Sequence, residues 1–362
     1  TRNKEPGTAR GFKSAALGAG RPLIGICCRP AILPRKFSMT GLAGRRSPWA
    51  SGLRLLDSAR REVIRIMRSG IAAIVGRTNV GKSSLLNTLL EEKVSIVSNV
   101  VQTTRNLIRA ILTEPRGQVV FLDTPGSHRA TNDLGKIMNR SARSAVRGTD
   151  LVLVVFDVSS FPYEEDEGWI RRSVREDLPV LPVFNKADLQ EDHAESYLRL
   201  WREIAEARGK SAPDLWLRTS AATRVGVTQL LDHIFGLLPE GPLLFPEDIL
   251  TDFPRKLAIG DVVREKLFHA LRQELPHDVA VAVTSIDEDP EGWTVHGDVY
   301  VNKATQKPIV IGRKGRVLRN ARKAAESELA EMYGLPISLD LWVKVQPGWA
   351  KNYWILRQLG YV

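Results

Sequence analysis

One short glycine-containing segment constrains the fold of this chain more than any other feature. Residues Gly76 to Ser83 read GRTNVGKS and match the pattern G-x-x-x-x-G-K-[ST]. The segment stands between a short apolar run, Ile71–Val75, and a helical pattern, Lys82–Leu90. A strand, a glycine-rich turn and a helix in this order form the loop that holds nucleotide phosphates in many proteins. The sequence therefore predicts a phosphate-binding loop.

Phosphate chemistry gives most residues of this loop a role. Glycines let backbone N–H groups surround the phosphate oxygens, the Lys82 ammonium reaches the β- and γ-oxygens, and the Ser83 hydroxyl is a ligand for Mg²⁺. Mg²⁺ is therefore an expected cofactor. The predicted phosphate-binding residues are Gly76, Asn79, Val80, Gly81, Lys82, Ser83 and Ser84.

A second motif, D-x-x-G, supports the Mg²⁺ prediction. Asp123 to Gly126 read DTPG and follow the strand-like run Gln118–Leu122. Asp123 then lies at the carboxyl end of the strand, where it can hold Mg²⁺ through a water molecule, and the N–H of Gly126 can contact the γ-phosphate. D-x-x-G alone is common, so its weight comes from its place after the phosphate-binding loop.

A third motif predicts which base is bound. Asn185 to Asp188 read NKAD and end another strand-like run. The Asp188 carboxylate can accept two hydrogen bonds, from N1–H and N2–H₂ of guanine, and adenine lacks this pair of donors. The expected ligands are therefore GTP and GDP. The predicted guanine-binding residues, which include the end of the next strand, are Asn185, Lys186, Asp188, Ser220 and Ala221.

The loop between the first helix and Asp123 predicts a nucleotide-dependent switch. Residues 102–105 read QTTR, and a threonine here can close over Mg²⁺ and the γ-phosphate in the triphosphate state only. The predicted switch residues are Thr103, Thr104, Asp123 and Gly126, and the predicted Mg²⁺ ligands are Ser83, Thr103, Thr104 and Asp123.

The group that orients the attacking water is not evident from the motifs. Many GTPases place a glutamine directly after D-x-x-G, whereas Ser127 and His128 follow here. An exposed loop histidine is favoured over a catalytic one at His128. We therefore expect slow intrinsic hydrolysis of GTP to GDP and phosphate.

Alternating strand-like and helical patterns predict an α/β fold with a doubly wound, mainly parallel sheet. The strand-like runs after the first are Gln118–Leu122, Leu151–Asp157, Val180–Asn185 and Trp216–Ser220. A proline-rich segment, Pro239–Pro254, follows and predicts a linker. The pattern beyond it is α-β-β-α-α-β, with a first helix Leu257–Glu274, strands Val279–Asp287 and Gly292–Val301, two helices, and a last strand Ile337–Gln346.

This second unit contains a predicted RNA-binding site. Gly312 to Gly315 read GRKG between the two helices, and G-x-x-G in this context is the clamp by which a KH domain holds about four nucleotides. The stretch Ile309–Ala325 contains six basic residues and no acidic one. Three aromatic residues could stack bases, with core packing an equal alternative for Trp342: Trp342, Trp349 and Tyr353. The predicted RNA-binding residues are Gly312, Arg313, Lys314, Gly315, Arg316, Arg319, Arg322 and Lys323.

The net charge of +11 resides almost entirely at one end of the chain. Residues 1–56 hold 11 Lys or Arg and one acidic residue, whereas the remainder holds 41 basic and 40 acidic residues. Residues 1–66 are therefore expected to be a disordered basic extension, dispensable because Met67 would make a natural start, or else an organelle transit peptide. The pattern over Leu55–Met67 has helical spacing. The only cysteines, Cys27 and Cys28, exclude a disulfide framework and a zinc site made of cysteines.

Taken together, the motifs resemble those of the Era family of ribosome-assembly GTPases from about Arg68 to Val362. The segments that carry the resemblance are GRTNVGKSSLLN, QTTR, DTPG, NKAD, FPEDILTD, VVREKLFHALRQELPH, IVIGRKG and LWVKVQPGW. The resemblance implies a P-loop GTPase domain at 67–240, a linker at 241–254 and a small α+β, type II KH RNA-binding domain at 255–362. It implies binding to the 3′ end of small-subunit ribosomal RNA and help in assembling the small ribosomal subunit.

The resemblance also implies a location and a second cation. Family members are cytoplasmic and associate loosely with the inner membrane; an organelle is the alternative if residues 1–66 are a transit peptide. Phosphate-binding loops with asparagine at the position of Asn79 can recruit K⁺, so hydrolysis stimulated by K⁺ is a hypothesis. The chain departs from the family where Val101 replaces a proline and Ser127 an apolar residue, which concerns switch geometry and hydrolysis rate.

Two other functions are alternatives. The first is an RNA chaperone or scaffold regulated by nucleotide, in which turnover plays no part; the intact Lys82, Ser83 and Asp123 argue against it. The second is a tRNA-modifying GTPase of a related family, which ends in a functional cysteine. Here the C-terminal region has no cysteine and a KH pattern instead. A factor with two GTPase domains is excluded because the phosphate-loop pattern occurs once.

Overall fold

The apolar runs of the first domain form one sheet with helices on both faces. The computed structural model describes residues 67–98, 103–126, 133–271 and 275–361. The strands are β1 Met67–Val75, β2 Ile108–Glu114, β3 Gly117–Asp123, β4 Leu151–Asp157, β5 Val180–Asn185, β6 Leu217–Arg218 and β7 Glu240–Gly241. Their order is β2-β3-β1-β4-β5-β6, with β7 on β1. Pairing is parallel from β3 to β6, whereas β2 and β7 are antiparallel to their neighbours.

Two hydrophobic layers cover the two faces of this sheet. The helices are α1 Lys82–Leu90, α2 Asp133–Ala145, α3 Glu164–Ser173, α4 Ala194–Glu206 and α5 Val227–Leu237. Because side chains alternate along a strand, Ile74 packs with α1 and α5 while Val75 packs with α2, α3 and α4. The predicted doubly wound α/β fold is confirmed.

Several element boundaries differ from the predictions. β1 begins at Met67, so that residue is not helical as predicted; the rest of the predicted helix, 55–66, lies outside the described residues. β6 is only two residues long. The antiparallel strand β2 was not predicted, because Arg109 and Thr113 interrupt its apolar pattern. The predicted helix α6 ends at Ala270, since Leu271 has extended backbone angles.

The predicted linker is hydrogen-bonded to the sheet for much of its length. After β7, the backbone N–H groups of Leu244 and Phe245 donate to the buried side chain of Gln118 on β3 (2.8 Å each). Farther along, the N–H of Ile111 on β2 donates to the carbonyl oxygen of Leu250 (2.7 Å). The path from the first domain to the second is therefore fixed by the sheet.

The second domain has the predicted α-β-β-α-α-β order. Its elements are α6 Arg255–Ala270, β8 Ala280–Asp289, β9 Gly292–Val301, α7 Lys307–Ile311, α8 Arg316–Tyr333 and β10 Ile337–Val345, followed by a further short helix, α9 Tyr353–Gln358. The sheet order is β10-β9-β8, with β10 parallel and β8 antiparallel to β9. Helices α6 and α8 pack on one face of this sheet around Val263, Val299 and Ala325. The predicted α+β domain is confirmed.

A buried arginine on α6 joins the second domain to the predicted switch segment. The guanidinium of Arg264 donates to the backbone carbonyl oxygen of Thr103 (2.6 Å) and to the Tyr361 hydroxyl (2.7 Å). It also pairs with Asp261 (3.0 Å), and both charged side chains are buried. Breaking a buried ion pair by removing one of its partners is costly, so this contact holds α6 against the switch segment.

Two further contacts hold the same segment. The buried guanidinium of Arg105 donates to the carbonyl oxygen of Val279 (3.0 Å) and lies over the rings of Phe268 and Trp349. Burial lowers the pKa of Arg105. The Glu265 carboxylate accepts hydrogen bonds from the Lys93 ammonium (2.6 Å) and the Val97 N–H (3.1 Å). The residues on both sides of the switch threonines therefore rest on the second domain.

An apolar contact completes the interface between the domains. Leu134 and Met138 on α2 form one buried cluster with residues of the second domain that include Trp349 and Leu359. The second domain thus covers the N-terminal half of the inner face of α2, Ala142 packs on the first domain, and the outer face is exposed.

We expect Arg264→Met to lower the free energy of unfolding by about 3 kcal/mol, because it leaves Asp261 as a buried, unpaired charge. Urea denaturation followed by circular dichroism measures this change. The control is Lys256→Met on the same helix, whose exposed ammonium donates to one carbonyl oxygen; it should change stability by less than about 0.5 kcal/mol. Equal effects of the two substitutions would contradict the assigned role of Arg264.

Candidate nucleotide and RNA sites

The phosphate-binding loop is fastened to the strand that carries the NKAD motif. Gly81 has φ +92°, and a Cβ atom there would lie 2.3 Å from the side-chain nitrogen of Asn185. Only glycine combines this angle with such a close approach. The same nitrogen donates to the carbonyl oxygen of Val80 (2.8 Å). Asn185 therefore holds the loop in shape.

Lys82 lies inside this loop. Its ammonium donates to the carbonyl oxygens of Gly76 (3.2 Å) and Arg77 (2.7 Å). Burial lowers the pKa of Lys82 to about 8, against the attraction of Asp123. Phosphate oxygens beside the ammonium would favour its charged form, so the position suits a phosphate contact.

Oxygen atoms from three predicted Mg²⁺ ligands converge next to the loop. The Ser83 hydroxyl lies 2.8 Å from the Thr104 hydroxyl and donates to Asp123 Oδ2 (2.7 Å). The Ser95 hydroxyl donates to the same oxygen (2.8 Å), while Asp123 Oδ1 is buried with no hydrogen-bond partner among the described residues. Hard oxygen ligands and a buried carboxylate oxygen that lacks a donor fit Mg²⁺ with its bound water.

The two switch threonines occupy different positions. The Thr104 hydroxyl faces Ser83, whereas the Thr103 hydroxyl donates to the carbonyl oxygen of Ser98 (3.4 Å) and the Thr103 carbonyl accepts from Arg264. Both threonines line one cavity with Asn79, Gly81, Lys82, Ser83, Ser84 and Gly126. The predicted Gly76, Val80 and Asp123 are not among its lining residues. Thr78 and Thr124, which stand within motifs but were given no role, also line it, as do Ile96, Val97 and Ser98, which no motif contains.

The predicted guanine-binding residues lie at the ends of β5 and β6. The Asp188 carboxylate is exposed, with no hydrogen bond or ion pair to any described residue, and so is available as an acceptor. The Lys186 ammonium pairs with Asp157 (2.7 Å). The Ala221 N–H donates to Asn185 Oδ1 (3.2 Å), and the buried Ser220 hydroxyl accepts from a turn N–H (3.0 Å). Asn185 therefore joins the end of β5, which leads to Lys186 and Asp188, to the segment after β6 that contains Ser220 and Ala221.

The GRKG segment forms a tight turn between two helices. Gly312 has φ +77°, and a Cβ atom there would lie 2.4 Å from a methyl group of Val317. Lys314 adopts the left-handed conformation (φ 52°), and α8 begins directly after Gly315. The N-terminus of α8 lies beside the exposed residues Arg313, Lys314 and Arg316, and N–H groups at a helix N-terminus can meet phosphates.

Basic side chains surround this turn. The predicted residues Arg313, Lys314, Arg316, Arg319 and Lys323 are exposed, and Arg322 is half-buried beside Glu326. A groove of about 200 Å³ lies between α8 and β10, and the sequence had not indicated Leu318, Asp340 and Leu341 in its wall. Their spacing is that of ordinary amphipathic elements, so no sequence signal distinguished them.

The three aromatic residues that were predicted to stack bases differ in their exposure. Trp349 is 1% exposed and donates to the carbonyl oxygen of Asp278 (2.8 Å), so the prediction that it stacks bases is wrong. Trp342 is 64% exposed and Tyr353 is 57% exposed, so core packing is excluded for Trp342.

Val101, Gln102, Ser127 and His128 lie outside the described residues. In the part of the chain that is described, no helix has the length and apolar character to cross a bilayer.

Two family models match the chain. Residues 71–186 match the 50S ribosome-binding GTPase family, and residues 274–350 match the KH domain. Curated relatives cover most of the chain. A GTPase Era of Thermoanaerobacter sp. (strain X514) is 39% identical over 297 residues, which are 81% of this chain and 96% of the relative. A GTPase Era of Geobacter sp. (strain M21) is 40% identical, over 81% of this chain and 98% of the relative.

Solved structures agree. One is Era in complex with MgGDPNP and nucleotides 1506–1542 of 16S ribosomal RNA, with TM-score 0.76, 35% identity, and coverage of 82% of this chain and 99% of that chain. Another is an Aquifex aeolicus Era variant bound to GDP·AlF₄⁻, with the same TM-score and identity and coverage of 82% and 100%. The fold, the motifs and these likenesses together show that the chain belongs to the Era family of GTPases.

Proposed function

We propose that this chain is a GTP-hydrolysing switch that binds the 3′ region of small-subunit ribosomal RNA and assists assembly of the small ribosomal subunit. The observation that carries the proposal is the contact between the two sites: the switch segment that faces the phosphate-binding loop is held by the helix α6 of the KH domain. The relative crystallised with MgGDPNP and 16S RNA nucleotides supports the choice of ligands.

Each residue of the nucleotide site has a separate role in binding or hydrolysing GTP. The loop from Gly76 to Ser84 binds the phosphates, Lys82 neutralises the β- and γ-oxygens, and Asp188 selects guanine. Ser83, Thr104 and Asp123 would hold Mg²⁺, which supplies positive charge to the phosphate oxygens. The N–H of Gly126 contacts the γ-phosphate, and Thr103 carries the change of the switch segment to Arg264.

The RNA site is coupled to this change. Movement of Thr103 alters the hydrogen bond to Arg264 on α6, and α6 packs on the sheet of the KH domain. The affinity for RNA then differs between the GTP and GDP states by a coupling free energy. We assign residues 67–240 to the GTPase domain, 241–254 to the connection and 255–362 to the KH domain.

Substitution of the two switch threonines tests the Mg²⁺ assignment. We expect Thr104→Ala to lower the rate constant of GTP hydrolysis about 100-fold, because a ligand at the γ-phosphate side is lost. Thr103→Ala removes the same atoms from a side chain that faces Ser98 and should keep most of the rate. Single-turnover assays at saturating Mg²⁺ measure both variants, and equal losses would show that the assignment is wrong.

Fluorescence anisotropy with an RNA copying nucleotides 1506–1542 of 16S rRNA, the segment in the relative's complex, tests the RNA switch. At fixed salt, we expect about tenfold tighter binding with a GTP analogue than with GDP. Gly312→Asp with Gly315→Asp should abolish binding, because carboxylates would replace the close approach of phosphates. Arg264→Met should leave the two nucleotide states within about twofold. If the unaltered chain bound RNA with the same affinity in the presence of the GTP analogue and of GDP, the coupling would be refuted.

The K⁺ hypothesis rests on Asn79, which lines the phosphate-site cavity and has a backbone φ of +63°. We expect faster GTP hydrolysis in KCl than in NaCl at equal ionic strength. Nucleotide affinity measured in both salts separates an effect on turnover from one on binding. Equal turnover in the two salts would reject the hypothesis.

A further inference from the structure

The outer face of α2 carries a row of basic side chains. Lys136, Arg140 and Arg143 are spaced by four and three residues, so they lie on one side of the helix, and Arg147 follows in the turn after it. All four are exposed, and the sequence 134–149 contains no acidic residue. The opposite side of α2 is apolar and buried. The row therefore extends about 16 Å along the surface.

Arg172 at the end of helix α3 and Arg175 in the turn after it lie beside this row. Arg172 lines a cavity of about 230 Å³ together with Arg143 and Arg147, with the ring of Trp169 and the Glu176 side chain also in its wall. The Arg172 guanidinium lies 5.3 Å from the centre of that ring. Burial lowers the pKa of Arg172, and the charges of Arg143 and Arg175 lower it further. We call Lys136, Arg140, Arg143, Arg147, Arg172 and Arg175 the basic face.

Most charges of the basic face are not neutralised within the protein. Arg140, Arg143, Arg147 and Arg175 form no ion pair with any residue that the structure describes, although Lys136 pairs with Asp133 at the surface. Elsewhere on α3, Arg171 pairs with Glu167. Gathering like charges without counter-charges destabilises the folded chain. A polyanionic partner would offset this cost.

The position of the basic face favours RNA as that partner. The buried side of α2 packs on the KH domain through Leu134 and Met138. The basic face therefore lies partly on a helix whose N-terminal half contacts the domain that binds RNA in the proposed function. It contains no exposed large apolar side chain on α2 or α3 that could insert into a bilayer, which argues against a membrane surface.

We propose that the basic face is a second RNA-binding surface, which contacts the phosphate backbone of RNA beyond the nucleotides held by the GRKG turn. This inference rests on the proposed RNA-binding function. Guanidinium groups bind phosphates in pairs of hydrogen bonds and read no base sequence. The basic face therefore adds affinity for any RNA long enough to reach both surfaces, by raising the effective concentration of its phosphates.

Anisotropy with two RNA lengths tests the inference in the full chain. The long probe is the 1506–1542 segment. The short probe is chosen from overlapping single-stranded fragments of this segment, each about ten nucleotides long, as the fragment that binds most tightly. The test variant carries Arg140→Gln, Arg143→Gln and Arg147→Gln. The matched control carries Arg199→Gln, Arg202→Gln and Arg208→Gln, the same loss of charge at exposed positions on α4 and in the turn after it.

We expect the test variant to bind the long probe about tenfold more weakly, with the slope of log affinity against log salt reduced by about two. Its affinity for the short probe and its GTP hydrolysis should match those of the control. Equal affinity of both variants for the long probe would overturn the inference. So would loss of binding to anionic phospholipid vesicles with RNA binding unchanged, which would assign the face to membranes. Failure of the unaltered chain to bind either probe would instead refute the proposed function.

Discussion

The buried guanidinium of Arg264 is the interaction on which the arrangement of the two domains depends. A charge removed from water is costly unless a counter-charge and hydrogen-bond partners compensate it. Here those partners come from three parts of the chain: the switch segment at Thr103, Tyr361 near the C-terminus, and Asp261 on α6 itself. The position of α6 and the path of the switch segment are therefore decided together, and the proposed coupling between nucleotide state and RNA affinity depends on this.

Within the first domain, the same principle operates through Asn185. Its side-chain nitrogen donates to the phosphate-binding loop and its oxygen accepts from Ala221, so one amide fixes the loop, the end of β5 and the end of β6. The sheet carries these three segments to one edge because the carboxyl ends of parallel strands coincide there. The residues predicted to contact phosphate and base are thus positioned by the sheet, whereas the switch segment is also held by the second domain through Thr103.

The sequence was sufficient for features decided by local chemistry. The loop from Gly76 to Ser83, the strands β4 and β5 and the KH order follow from short motifs and apolar periodicity, and the family and fold predictions are confirmed. The roles of individual site residues stay predictions. The burial of Trp349, the strand β2 and the partners of Arg264 escaped prediction because each depends on residues far apart in the chain. From the sequence alone, an arginine in an amphipathic helix is predicted to be an exposed charge, because the partners that would allow its burial are not evident.

The connection between the domains has a consequence for the behaviour of the protein in crowded solution. Strand β2 is an edge strand of the large sheet, and an unpaired edge strand offers a row of N–H and C=O groups to any other extended chain. Leu250 and Thr251 occupy part of that row, through the bond from Ile111 and the bridge to Ala110. The polypeptide that leads to the KH domain therefore also shields the sheet, and a variant whose connection detached would gain a surface prone to strand-to-strand aggregation.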